Sequence, residues 1–307
     1  MRNDIQAPAA VVMVRPHHFT PNPETAADNA FQLPRPEINA EAFEARALRE
    51  VDAVARTLMA HGVRVHVFDD LTRDTPDSVF PNNWFSTHRG GRIAMYPMAA
   101  PSRRGERRVD VIEMLKREYR VQEVIDYSGL EQDALFLEGT GAMILDHHER
   151  VAYVGASNRA DPIILERFCT HFGYEPMVFA NRDPDGNAIY HTNVIMSIGT
   201  EFALLCTEVM TDADRRDEIL TRLRDSGRDV IEISWRQVTE FAGNGMELTG
   251  SSGRFYACSA RAAASYTPEQ RERIEASAPI VPIDIPTIEL AGGSVRCMLA
   301  GIHLSRR

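Results

Sequence analysis

The run Leu58-Met59-Ala60-His61-Gly62-Val63-Arg64-Val65-His66-Val67-Phe68 decides the fold. It closes a helical stretch, Glu41–Ala60, whose apolar residues Ala47, Leu48, Val51, Val54, Ala55 and Leu58 recur at helical spacing. His61-Gly62 ends that stretch, since glycine readily takes the left-handed conformation that stops a helix. Val63–Phe68 then alternates as a strand does. The same order returns as Val109–Tyr119 with Val121–Ile125, and as Pro162–Phe172 with Gly173 and Tyr174–Phe179. It returns again as Ala213–Ser226 with Gly227 and Val230–Ile233, and as Pro268–Ala278 with Ile280–Ile285. Counted from Val63, Val121, Tyr174, Val230 and Val281, the strands are 58, 53, 56 and 51 residues apart.

Each copy runs on into a polar or glycine-rich stretch and a second apolar run. The stretches are Pro81–Trp84, Glu138–Gly141, His191–Asn193, Gly243–Gly245 and Gly292–Arg296. Hairpin partners Arg92–Tyr96, Arg150–Val154, Glu201–Cys206 and Arg254–Cys258 follow four of them, and Ala10–Arg15 at the N-terminus can supply the fifth. The expectation is an α/β fold: one domain over residues 1–307, five αβ-type units around an axis, strands inside, helices outside, and both termini sharing one unit. The alternative is an ordinary two-domain α/β protein, the division that 307 residues suggest on length alone.

Composition narrows the class. Lys+Arg 34 against Asp+Glu 44 leaves a net charge of −10, and no long basic tract offsets it. The one basic cluster, Arg103, Arg104, Arg107 and Arg108, is interrupted by Gly105 and Glu106, which argues against nucleic acid. No apolar run approaches the roughly 18 residues of a membrane span. Met1-Arg2-Asn3-Asp4 leads into a strand-like stretch and does not read as a signal peptide. Cys169, Cys206, Cys258 and Cys297 are scattered without a C-x-x-C pair, so reduced thiols and a cytoplasmic location are expected. The expected partner is a small-molecule amino acid substrate, with no nucleic acid and no membrane; a homo-oligomer stays open.

In a ring of repeats, equivalent positions face one axis. Asn82, Asn83, Glu138, His191, Asn193 and Cys297 therefore converge. A cysteine nucleophile needs a means of becoming thiolate, a histidine moves protons, and a carboxylate orients the histidine. Each residue also has an ordinary reading: Cys297 as a core thiol, His191 as a cap before a strand, Glu138 as a loop carboxylate. Their joint placement favours the catalytic one. His17-His18 and His147-His148 lack zinc spacing, and Gly243-Asn244-Gly245 is neither a dinucleotide nor a P-loop fingerprint. No metal and no cofactor is implied.

These residues resemble the guanidino-group-modifying enzymes, the pentein or five-bladed α/β-propeller superfamily of arginine deiminase, dimethylarginine dimethylaminohydrolase and the amidinotransferases. The likeness runs from Met13-Val14-Arg15-Pro16 to Cys297. Pro76-Asp77-Ser78-Val79-Phe80-Pro81-Asn82-Asn83, Ala100–Arg104 and Gly155–Arg159 are similar to dimethylargininase segments. The resemblance implies Cys297 as nucleophile, His191 as acid/base and Glu138 as its acidic partner. It further implies Arg103 and Arg159 on the substrate α-carboxylate, and Asp77 near the amino acid end. Asn82-Asn83 stand where guanidinium-handling members carry carboxylates, and His191-Thr192-Asn193 stands where arginine deiminase has His-x-Asp. Losing those anions weakens a guanidinium by about 1.5–3 kcal/mol per charged hydrogen bond, whereas amides match a neutral ureido group. The chain looks most like the citrulline-utilisation hydrolases, in Met13–Phe19, Asn22–Thr25, Asn29–Gln32 and Phe80–Ser86. An amidinotransferase, or an arginine- or dimethylarginine-directed hydrolase, is the alternative, and Asp28 or Asp133 could restore guanidinium binding.

Overall fold

The computed structural model describes residues 5–26, 28–34, 36–37 and 39–307. Met1–Asp4, read above for a leader, lies outside them.

Five three-stranded sheets surround the axis, and the chain builds each in the same way. β1 (Ala10–Pro16) crosses through helix Ala40–Ala60 to β2 (Arg64–Asp70), its parallel neighbour, with Val12 opposite His66. The hairpin of β3 (Phe85–His88) and β4 (Arg92–Met95) crosses through helix Val109–Glu118 to β5 (Glu123–Asp126). β6 (Met143–Asp146), β7 (Val151–Gly155) and β8 (Glu175–Phe179) repeat this around helix Pro162–Phe172. β9 (Met196–Ile198), β10 (Phe202–Leu205) and β11 (Asp229–Glu232) do so around Ala213–Asp225. β12 (Met246–Gly250), β13 (Gly253–Ser259) and β14 (Ile280–Ile283) do so around Ala260–Ser265 and Pro268–Glu275. Finally β15 (Ala300–Gly301) pairs antiparallel with β1, so the two ends of the chain close one sheet.

The five-unit ring is therefore as expected, with one refinement. The strand after each helix pairs back, in parallel, with the strand before that helix. The unit in space thus starts at a hairpin and not at a helix.

Burial follows this order. The inner strands β3, β6 and β9 are buried at every position, whereas the outer strands β2, β5 and β11 each carry exposed residues. Helices lie outside and turn an apolar stripe inward. Val51, Val54 and Leu58 pack with Val11, Met13 and Ile288, and Ile164, Phe168 and Phe172 pack with Ala152 and Val154. Burying each such large side chain contributes about 1.5–3 kcal/mol. Helix ends are set locally. Asp161 accepts from the N–H groups of Ile163 and Ile164, Pro162 opens the first turn, and Gly173 at φ +70° closes the last.

Candidate active site

Just before each inner strand the chain makes a short turn at the same end of the ring. These turns are Pro81–Asn83 before β3, Gly139–Ala142 before β6, Thr192–Val194 before β9, the 241–245 turn before β12 and the 295–298 turn before β15. His191 thus precedes a helical turn, and Cys297 sits in a turn rather than a strand. Glycines allow the turns to touch. At Gly139 (φ +45°) a Cβ would lie 2.6 Å from the Asn82 carbonyl oxygen, and at Gly141 it would collide with the Asn83 side chain and lie 2.9 Å from His191 Nδ1.

Asp77, Asn83, Arg103, Arg159, His191 and Cys297 line one small cavity, and Thr25 and Asn29 of the segment after β1 line it too. Asn82, Glu138 and Asn193 stand directly behind, each bonded to a lining residue. All nine residues expected from the sequence are buried here.

His191 Nε2 is 2.7 Å from Glu138 Oε2. The other carboxylate oxygen accepts from the Ala99 N–H at 3.0 Å, and Arg159 Nη1 donates to Oε2 at 3.2 Å. Burial pushes the Glu138 carboxyl up, but Arg159, His191 and Arg103 outweigh it and hold the group well below the usual carboxylate range. Burial also takes the His191 imidazole down to about 4, against the opposing pull of Glu138. Beside an ionised Glu138, Nε2 carries the proton, and Nδ1 is the basic nitrogen.

Both arginines already hold partners. Arg103 donates from Nε and Nη2 to the two oxygens of Glu106, each at 2.9 Å. With its amide oxygen facing Arg103, Asn83 accepts from Nη1 and Nη2 at 2.8 and 3.0 Å and donates to Asn82 Oδ1 at 3.1 Å. Burial drives the Glu106 carboxyl up to about 7 even so. Arg159 forks onto Asp28 through Nε and Nη2 and stacks over Tyr190 at 5.1 Å. Asp28 therefore does reach the site, while Asp133 is exposed at the end of the turn Ser128–Asp133. Asp77 Oδ2 accepts from Asn22 at 2.9 Å, and burial raises its carboxyl despite Arg103 at 3.8 Å.

The sulfur of Cys297 faces amides: Asn193 Nδ2 lies 3.2 Å away and Asn244 Nδ2 3.3 Å. Burial pushes the other thiols, Cys169, Cys206 and Cys258, up to about 12. Asn244 and Glu106 are site residues that sequence reasoning missed. Asn244 had a signal, since Gly243–Gly245 is one of the five repeat-equivalent stretches; Glu106 had none beyond standing in a basic cluster.

The profile of the family described as N,N dimethylarginine dimethylhydrolase, eukaryotic, matches residues 15–304. The chain belongs to this hydrolase family. Among solved structures it resembles the substrate-bound N-terminal domain of ArgZ, an arginine dihydrolase from the ornithine–ammonia cycle in cyanobacteria, with TM-score 0.74 and 17% identity over 96% of this chain and 98% of that one. Unliganded AgrE gives TM-score 0.75 and 16% identity, over 97% of this chain and 40% of that one. DDAH from Pseudomonas aeruginosa, a cysteine-to-serine variant complexed with citrulline, gives 0.64 and 16%, over 98% and 100%. The chain spans 40% of full-length ArgZ and AgrE. In a sequence comparison with curated proteins, nothing matches. At these identities the solved structures establish the pentein fold, and the family match adds the hydrolase class.

Proposed function

We propose that this family member hydrolyses the ureido group of citrulline, giving ornithine, ammonia and carbon dioxide through a covalent intermediate on Cys297. The observation that carries this reading is the neutral amide set of the site: Asn83 lines the cavity, and Asn82 and Asn193 stand behind it, each bonded to a lining residue. A ureido group brings N–H donors and one carbonyl acceptor, which amide groups match in kind; a guanidinium brings donors only and calls for anions. In this reading His191 Nδ1 takes the Cys297 thiol proton as Sγ attacks the ureido carbon, and hands that same proton to the leaving nitrogen as the C–N bond to ornithine breaks. Neutral His191 next takes a proton from water, which cleaves the S-carbamoyl enzyme to carbamate and free Cys297. Carbamate then falls apart to ammonia and carbon dioxide, one water being consumed overall. The α-carboxylate would compete with Asp28 for the fork of Arg159. Four free, buried cysteines suit the reducing cytoplasm in which we place the reaction.

The guanidino reading has its own support, since Asp77 and Glu106 put carboxylates beside the cavity that the asparagine argument did not include. Citrulline, arginine and dimethylarginine offered separately at equal enzyme decide between them. Citrulline should be turned over best, with ornithine released although no amine acceptor is added. Arginine preferred ten-fold or more sinks the ureido reading, and ornithine appearing only with an added amine makes the protein a transferase. Full turnover by Cys297→Ala would remove the covalent mechanism altogether.

A further inference from the structure

Asn244 has no part in the roles above, yet it touches the sulfur. It is fully buried in the turn before β12, in a different unit from both Asn193 and Cys297. Its Oδ1 accepts from the Cys297 backbone N–H at 3.4 Å, and its Nδ2 lies 2.9 Å from the Asn193 carbonyl oxygen and 3.3 Å from Cys297 Sγ. The first two bonds fix which way the amide faces, so the nitrogen is the atom presented to sulfur. Asn193 Nδ2 approaches the same sulfur at 3.2 Å.

We propose that Asn244 is a positioning residue that aims Cys297 and, together with Asn193, supplies the N–H bonds that stabilise its thiolate. The inference rests on Cys297 being the nucleophile but not on the identity of the substrate. A nucleophilic cysteine needs a nearby cation or hydrogen-bond donors to its anion. The imidazolium that commonly serves is not on hand: His191 spends Nε2 on Glu138, and burial keeps the ring neutral until the pH nears 4. Two amides carry no charge to titrate, so they support the thiolate at any pH. Arg296, the adjacent residue, adds a positive field. It donates to the Leu299 carbonyl at 3.0 Å, and among the described residues no carboxylate lies within ion-pair distance of it.

The test reads the thiol without substrate, so a failure of the ureido reading leaves it intact, and the reverse holds as well. Iodoacetamide alkylation of Cys297 is followed from pH 6 to pH 10 in the full chain, the wild type beside Asn244→Ala and Asn244→Asp, each with its thermal melt. Loss of one hydrogen bond to a charged group lowers the rate at pH 7 by about ten-fold, and Asn244→Asp, which turns an oxygen toward the sulfur, lowers it further. The deficit narrows as the pH rises toward 10, because the substitution acts on the fraction of sulfur present as thiolate. A rate lowered equally at every pH means that Asn244 shapes access only, and an unchanged profile means that it does nothing for the sulfur; either overturns the proposal. Should both variants lose their cooperative melt, the profile of Asn193→Ala decides, because it removes one of the two converging donors.

Discussion

Glu138 shows how much of this site is one carboxylate. It receives Arg159, His191 and a backbone N–H at once, and it stays ionised although fully buried. Its anion fixes the His191 proton on Nε2 and leaves Nδ1 to exchange protons. The imidazole sits at about 4, below the free value of 6.5, so the active neutral form holds on lowering the pH until the neighbourhood of 4. Activity carried by this base should be flat from pH 8 to about 5 and fall only below that. Glu138→Gln should lower kcat by about a hundred-fold or more. Because Glu138 raises the His191 value, the variant's acid limb should move to lower pH, and a limb that moves upward contradicts the assignment. Cys297, His191 and Glu138 were legible in the sequence because each falls at a repeat-equivalent position. Asn244 falls at such a position too, but between its two glycines it was weighed only as a nucleotide-loop fingerprint and set aside. Nothing local marks an amide that works on a thiol 53 residues away.

Between β1 and helix Ala40–Ala60 the chain runs across the site, and most of this element is the long, polar, proline-rich segment Pro16–Pro36, whose residues 27 and 35 lie outside the described set. Asp28 in the fork of Arg159 is one of its anchors, and other described residues pin it on either side. Asn22 donates to Asp77 at 2.9 Å and to Ser102 at 3.0 Å, while Asn29 donates to the Ala291 carbonyl at 3.3 Å and Leu33 N–H to the Leu290 carbonyl at 2.9 Å. These contacts join residues up to 262 apart, which is why no window of sequence reveals them. Gly292 is the point of closest approach: φ is +80°, and a Cβ would stand 2.7 Å from Asn29 Cγ. Gly292→Ala should therefore cost about 1–3 kcal/mol through backbone strain, read as a lower Tm. It should also displace Asn29 and raise KM several-fold. A lower Tm with KM unchanged would show that the segment packs on the site without helping to hold substrate.

Scale changes what spacing can say about the whole molecule. Intervals of 51 to 58 residues between strands reveal five copies, but an interval counts residues and not hydrogen bonds. The parallel return of each outer strand to the hairpin before its helix was therefore not readable. Ring closure was, because four units carried a hairpin partner and the fifth lacked one. In the structure β1 takes β15 as antiparallel neighbour, and His303 Nδ1 lies 3.1 Å from the Ile5 carbonyl oxygen, so the ends of the described chain are adjacent. Closure of this kind makes the starting point of the chain arbitrary, provided that every sheet keeps its three strands. A circular permutant tests this. Residues 1 and 307 are joined by a short flexible linker, and the chain is opened between Asp185 and Gly186. There residues 184–187 are exposed, and a Cβ on Gly186 would meet nothing within 4 Å. The permutant should melt cooperatively within a few degrees of the wild type and keep its activity, since no ladder is cut. Deleting residues 299–307 from the native chain should do the opposite, because it strips β15 from β1 and the stacked His303 ring from His147. A permutant that melts in two steps, or a truncated chain that melts as the wild type does, would mean that the sheets stand independently and that the seam does not bind the ring into one cooperative unit.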